Sequence, residues 1–378
     1  MTIYIIILLA FLTHVGFAGS RLAVPLFAVD QGATPFVVGT VVALYAALPM
    51  LLALPAGRMT DRLGFRMPLL FGTSGVFVSL MLPFFWPSMA TLYVTATLIG
   101  VSFMALQLGT QTLAGAIAGS SGRARNFSLL SLGFALANFG GPLLTGFLID
   151  EVGYEWTFFA LALPLIPAIV VSALGSRWIP NVHAKSESVR RGMFDLLSIK
   201  PLRDTLIASG IVSGAWDVYQ FFMPIYGRSL GLSATAIGAI LSAFAVSIIL
   251  VRAFLPFVVR RAGEVELLTY AMFVAAASFC LFPLCEGAWA LAGVSFLLGI
   301  GCGCGQPLSM TLVFNASPKE RAAEATGMRI TVNQITHLVM PLLFGALGSV
   351  AGFAAVFLTN AGGLAVGGYL SSRNHIKR

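Results

Sequence analysis

Apolar runs of about 20 residues recur along the whole chain, each long enough to cross roughly 30 Å of hydrocarbon. Only 10% of the 378 residues are charged, against about 25% in a soluble domain, and the mean hydropathy is +0.93. The runs lack the period-2 alternation of a membrane barrel, so they read as helices. Twelve spans emerge, at roughly 3–27, 36–56, 67–86, 88–112, 127–149, 156–176, 204–226, 236–258, 266–286, 288–312, 327–349 and 353–371. The fold class is therefore an all-α polytopic membrane protein of twelve transmembrane helices. The first run has neither a cationic leader nor a small-residue cleavage site and reads as a retained helix.

The chain also repeats itself at a constant offset of 199: Pro25 meets Pro224, Gly39 meets Gly238, Gly100 meets Gly299, Gln107 meets Gln306, Pro142 meets Pro341 and Gly153 meets Gly352. Most matches are Gly and Pro, whose backbone roles are hard to replace. Six spans fall in each copy. The expected organisation is an N-terminal six-helix bundle over 1–176, a linker over 177–203 and a C-terminal six-helix bundle over 204–378. A chain built from two copies of one architecture places its working site on the axis between them.

Lys and Arg in short loops set orientation. Arg58, Arg62 and Arg66 follow span 2, Arg123 and Arg125 follow span 4, Arg260 and Arg261 follow span 8, and Lys319, Arg321 and Arg329 surround the turn between spans 10 and 11. All lie on one side, which puts both termini in the cytoplasm. The net charge of +8 then belongs to topology and lipid headgroups, not to nucleic acid. Cys280, Cys285, Cys302 and Cys304 fit no common zinc spacing and read as small apolar residues. Nothing in the sequence calls for a metal or cofactor.

Between spans 2 and 3 lies Gly57-Arg-Met-Thr-Asp61-Arg62-Leu-Gly64-Phe-Arg66. It resembles the signature of the major facilitator superfamily, with Phe65 in place of one basic residue. In that family the motif latches the two halves together on the cytoplasmic side. The resemblance thus casts Gly57, Asp61, Arg62, Gly64 and Arg66 as a conformational latch. Span 5 carries Gly141, Pro142 and Gly146, similar to the helix-bending element of the drug/proton antiporters in that superfamily, with Thr145 replacing a glycine. Span 4 lacks the Arg those antiporters often carry. The resemblance implies a monomeric carrier in the plasma membrane, the inner membrane of a bacterium, alternating between two faces, with a small-molecule substrate and protons as coupling ion.

Charges at bilayer depth cost roughly 2.5–3.5 kcal/mol on insertion scales and are functional candidates. His14 and Arg21 share one face of span 1, and their repeat partners on span 7 are Ser213 and Gln220, with Asp217 opposite Ala18. In the superfamily both spans line the central cavity, so Arg21 and Asp217 are candidates for pairing across it. Arg21 also reads as a snorkelling side chain, and Asp217 as a static hydrogen-bonding group. His337 on span 11 is the repeat partner of Asn138 on span 5. Either His14 or His337 is a titrating group or a packing residue. Gln107, Gln111 and Gln306 bind substrate or a neighbouring helix. The combined reading is a proton-coupled exporter of small organic molecules. The alternative is an organic-anion carrier, with Arg21 as clamp and import open. No hydrolase or metalloprotease motif is present, which argues against an enzyme.

Overall fold

The computed structural model describes residues 2–63, 66–117, 123–174, 193–317 and 322–376, and among these there is no strand. In hydrocarbon every backbone N–H and C=O must be satisfied within the segment, which helices do. The helices are α1 (Thr2–Asp30), α2 (Pro35–Leu63), α3 (Arg66–Phe85), α4 (Met89–Ile117), α5 (Arg123–Ala162), α6 (Leu165–Leu174), α7 (Lys200–Ser229), α8 (Ala234–Ala262), α9 (Glu264–Leu281), α10 (Ala288–Ala316) and α11 (Ala322–Ile376). Short 3-10 helices cover Met193–Ser198 and Phe282–Leu284.

Two of these helices contain a sharp break. α11 has 55 residues, and at about 1.5 Å per residue it would far exceed one membrane crossing. Gly352 interrupts it at φ 78°, and its repeat partner Gly153 interrupts α5 at φ 81°. A side chain is disfavoured at such positive φ, which is why glycine stands at both. The expected sixth span is broken once more at Pro164, which lacks the N–H a helix needs and restricts Leu163 before it. Nine described stretches are long and apolar enough to cross a membrane; two of them, Leu129–Leu174 and Gly327–Ser372, have 46 residues each and contain the glycine breaks. Splitting both and adding the more polar α7 is consistent with the twelve expected spans.

The chain divides into two compact units. The first comprises Met1–Ala33, Leu44–Ser188 and Ser233–Ala239; the second comprises Thr34–Ala43, Val189–Leu232 and Ile240–Arg378. The opening turns of α8 therefore belong with the first unit, and those of α2 with the second. Most of the expected linker, residues 177–192, lies outside the described residues. The Met193–Ser198 helix follows, where Leu196 packs with Leu202, Leu206, Val313, Ala325 and Met328, and the linker's last residues, 200–203, already belong to α7.

Small residues let the helices of each unit approach closely, the main packing device where lipid is as apolar as the protein. In the first unit, Gly72 on α3 lies against Leu106 on α4, and Gly75 against Ser102. In the second, the glycine run of α10 faces three neighbours in turn. Gly299 and Gly303 meet α8 at Phe244, Ser247 and Ile248, Gly301 meets α9 at Ala271 and Ala275, and Gly305 meets Val212 on α7. An aromatic cluster adds to the core of the second unit. Tyr219, Phe279, Phe282 and Phe357 are fully buried and joined by ring contacts of 5.3–6.2 Å.

Candidate functional site

In the second unit α7 and α11 meet along matching polar stripes. Ser209, Ser213 and Asp217 recur every four residues on α7, and Arg329, Asn333 and His337 do so on α11. Such spacing puts each trio on one helix face. The register is constant: 329 − 209, 333 − 213 and 337 − 217 all equal 120. Gly210 and Gly214 on α7 lie against Val332, Thr336 and Met340 on α11, so side chains of α11 pack onto the α7 backbone beside the stripes.

Asp217 is 2% exposed, yet it sits inside a membrane-spanning helix. His337 Nδ1 and Asp217 Oδ2 are 2.5 Å apart. With the carboxylate ionised, the imidazole N–H donates to it, a charge-assisted bond. The His337 side chain keeps 33% of its surface exposed, so this end of the pair is open while the carboxylate is enclosed.

Two turns further along the stripe lies Arg329, only 7% exposed. Its Nη1 donates to Ser209 Oγ at 3.3 Å, Gln306 Oε1 at 3.1 Å and Ser309 Oγ at 3.2 Å. Ser209 Oγ in turn donates to Asn333 Oδ1 at 3.2 Å. The Ser213 hydroxyl, at the intermediate level, is buried without a hydrogen-bond partner.

Of the other predicted site residues, the first unit holds all but Gln220. His14 is 6% exposed and lies among the rings of Phe17, Phe103 and Phe134, with centroids at 5.7, 4.9 and 4.8 Å. Its Nδ1 is buried without a partner. Asn138 interacts with His14 and also donates to Phe134 O at 2.9 Å. Arg21 lies within electrostatic reach of His14 and Tyr45, and Tyr45 Oη donates to Ser20 Oγ at 3.1 Å. Gln107 is half-buried and Gln111 exposed on α4, and Gln220 is half-buried on α7.

The sequence brings Asp217, His337 and Gln306 forward, and of its two readings of Asp217 the hydrogen-bonding one has a partner within the second unit, His337. Arg329 was counted only among the loop cations. Its i, i+4, i+8 spacing to Asn333 and His337 was the signal available. Of the latch residues, Gly64 lies outside the described residues, and Gly57, Asp61 and Arg62 lie in α2 with no side-chain description. Arg66 Nη2 donates to Ala173 O at 3.1 Å. In the bend motif, a Cβ at Gly141 would stand 2.9 Å from that of Ala18, and Gly146 lies against the backbone of Ala234.

A polytopic helical bundle with ionisable side chains enclosed in its spanning helices defines a membrane protein with polar sites at bilayer depth, the class to which transporters belong. The sequence profile of the Major Facilitator Superfamily matches residues 6–285 and 205–373, and the chain belongs to that family. It is 24% identical to the class C tetracycline resistance protein of Escherichia coli, over 82% of this chain and 79% of the relative. It is also 24% identical to the quinolone resistance protein NorA of Staphylococcus aureus, over 88% and 86%. Among solved structures, a POT family transporter in complex with a thioalcohol-conjugated peptide shares the fold with TM-score 0.83 at 13% identity, covering 99% of this chain and 96% of that one. The nucleoside transporter NupG does so with TM-score 0.78 at 15% identity, covering 98% of each.

Proposed function

We propose that this transporter is a proton-coupled exporter of small, drug-like organic molecules, an antiporter working by alternating access. In this reading it lies in the plasma membrane (the inner membrane of a bacterium) with both termini cytoplasmic. The observation that carries it is the Asp217–His337 pair: a carboxylate enclosed at membrane depth beside a partly exposed imidazole. Such a group is costly to keep in a membrane helix without a use for its charge. Proton gain and loss at the pair would bias α7 against α11, the helices that carry it, and so connect the proton gradient to movement. The resistance proteins among the relatives support the export direction and a lipophilic organic cargo.

The test is transport in inverted membrane vesicles, with tetracycline and a fluoroquinolone as probes. Imposing a proton gradient should drive uptake of at least one, and a protonophore should abolish it. Asp217→Asn should lose this uptake while still inserting and folding. Uptake by Asp217→Asn with unchanged pH dependence would refute the coupling role.

A further inference from the structure

Arg329 is a buried guanidinium whose every described partner is neutral. Nη1 satisfies three oxygens, from Ser209, Gln306 and Ser309, and none of them carries charge. Its Nε is fully enclosed and makes no hydrogen bond. The Asp217–His337 pair lies two helical turns away, or about 12 Å at 1.5 Å per residue. A buried cation without a counter-charge is costly, and removing one partner from a buried pair costs more than the pair itself contributes. The group that would balance this charge against its neutral shell is an anion.

We infer that Arg329 is the subsite for the anionic group of a small organic ligand, a monoanionic carboxylate, held between α7, α10 and α11. One guanidinium surrounded by neutral groups balances one negative charge, which favours a carboxylate over a phosphate dianion. Arginine presents its donors in a fixed fork that matches a carboxylate. The hydroxyls of Ser209 and Ser309 now donate to Asn333 Oδ1 and to Gln306 O, and each turns about one bond to donate to an incoming oxygen instead. The orphan hydroxyl of Ser213 continues the polar line from Arg329 toward Asp217. The assignment rests on the reading of this unit as substrate-carrying and names the class of cargo. It does not depend on proton coupling.

The experiment is thermal unfolding of the purified full-length protein in detergent with benzoate, benzamide and benzylamine, one ring frame carrying negative, zero and positive charge. Benzoate should raise the unfolding temperature by a few degrees, and the other two should not. Arg329→Met should remove the response, and Arg329→Lys should weaken apparent affinity at least about tenfold, because the fork is lost. Gln306→Glu places a carboxylate where Nη1 already donates. It should raise the resting unfolding temperature and eliminate the benzoate response. Asp217→Asn should keep the benzoate response even where transport is lost, which separates this assignment from the coupling reading. The proposal is overturned by an absent benzoate shift in the wild type, by a shift that survives Arg329→Met, or by a lower unfolding temperature in Gln306→Glu. A shift with phosphatidylglycerol vesicles and none with benzoate would assign the site to a lipid headgroup and equally overturn it. Should Arg329→Met fail to fold, Gln306→Glu decides.

Discussion

Asp150 and Ser349 stand 199 residues apart and receive the opening turn of a helix in the same way. Asp150 Oδ1 accepts the N–H of Ala234 at 3.0 Å and its Oδ2 that of Thr235 at 2.7 Å. Ser349 Oγ accepts the N–H of Phe36 at 3.0 Å. Phe36 and Thr235 are themselves repeat partners, since 235 − 36 = 199. The first N–H groups of a helix have no partner inside it, so each contact satisfies an orphan. One is charged and doubled, the other neutral and single. The repeat shares the geometry and differs in strength.

Asp150→Ala should therefore destabilise the protein by about 1 kcal/mol and Ser349→Ala by about 0.5 kcal/mol, the range of lost helix caps. Thermal unfolding of the two variants in one detergent measures the difference. Equal losses would contradict the asymmetry.

The Asp217–His337 contact should appear as a coupling energy. A double-mutant cycle with Asp217→Asn and His337→Leu should give an interaction of about 1–3 kcal/mol, as for groups in one hydrogen-bonded network. His337→Gln, which keeps an N–H near the carboxylate, should fold better than His337→Leu and still lose pH-dependent transport. Additive single effects would show that the two side chains do not act together.

Gly39 and Gly238 sit where a Cβ would fall inside van der Waals contact of a carbonyl oxygen, that of Pro341 and that of Pro142 respectively. The obstacle is backbone and cannot swing aside. Alanine at either position should cost about 1–3 kcal/mol, as overpacking does. Gly287→Ala and Gly362→Ala, with open space around them, are the controls. Folded yield by fluorescence-detected size exclusion reads the difference, and parity between the two sets would refute it.

Phe158 and Phe357 are repeat partners, both fully buried. Phe357 meets the rings of Tyr226, Phe279 and Phe282, whereas the described ring contact of Phe158 is with Phe27 at 6.3 Å. Truncating a buried Phe costs about 3–5 kcal/mol, and aromatic pairs add about 0.5–1.5 kcal/mol beyond area. Phe357→Ala should accordingly be the more destabilising of the two, by unfolding in denaturant or heat.

Much of this architecture is collinear with the chain and therefore legible in it. Apolar run length determines where helices cross, because hydrocarbon thickness is constant. Glycine and proline determine where they break: Gly153, Gly352 and Pro164 all act within one or two residues of their own position. The repeat, which preserves those residues, carries the same information twice. Spacing likewise puts His14 and Arg21 on one face of the first span.

Which face meets which neighbour was decided only in the tertiary structure. Helix rotation and register depend on packing summed over many small contacts, and no single residue announces them. Asp217 could have faced several partners, and the glycines at 210 and 214 brought α7 onto α11 in the register that gives it His337. The same register drew Arg329 from an apparent loop charge into a neutral shell on three helices. By itself the sequence determined the spans, the breaks and the two-fold repeat, because these are local. The pairings that would carry chemistry belong to the tertiary structure, because they join residues 120 apart through space.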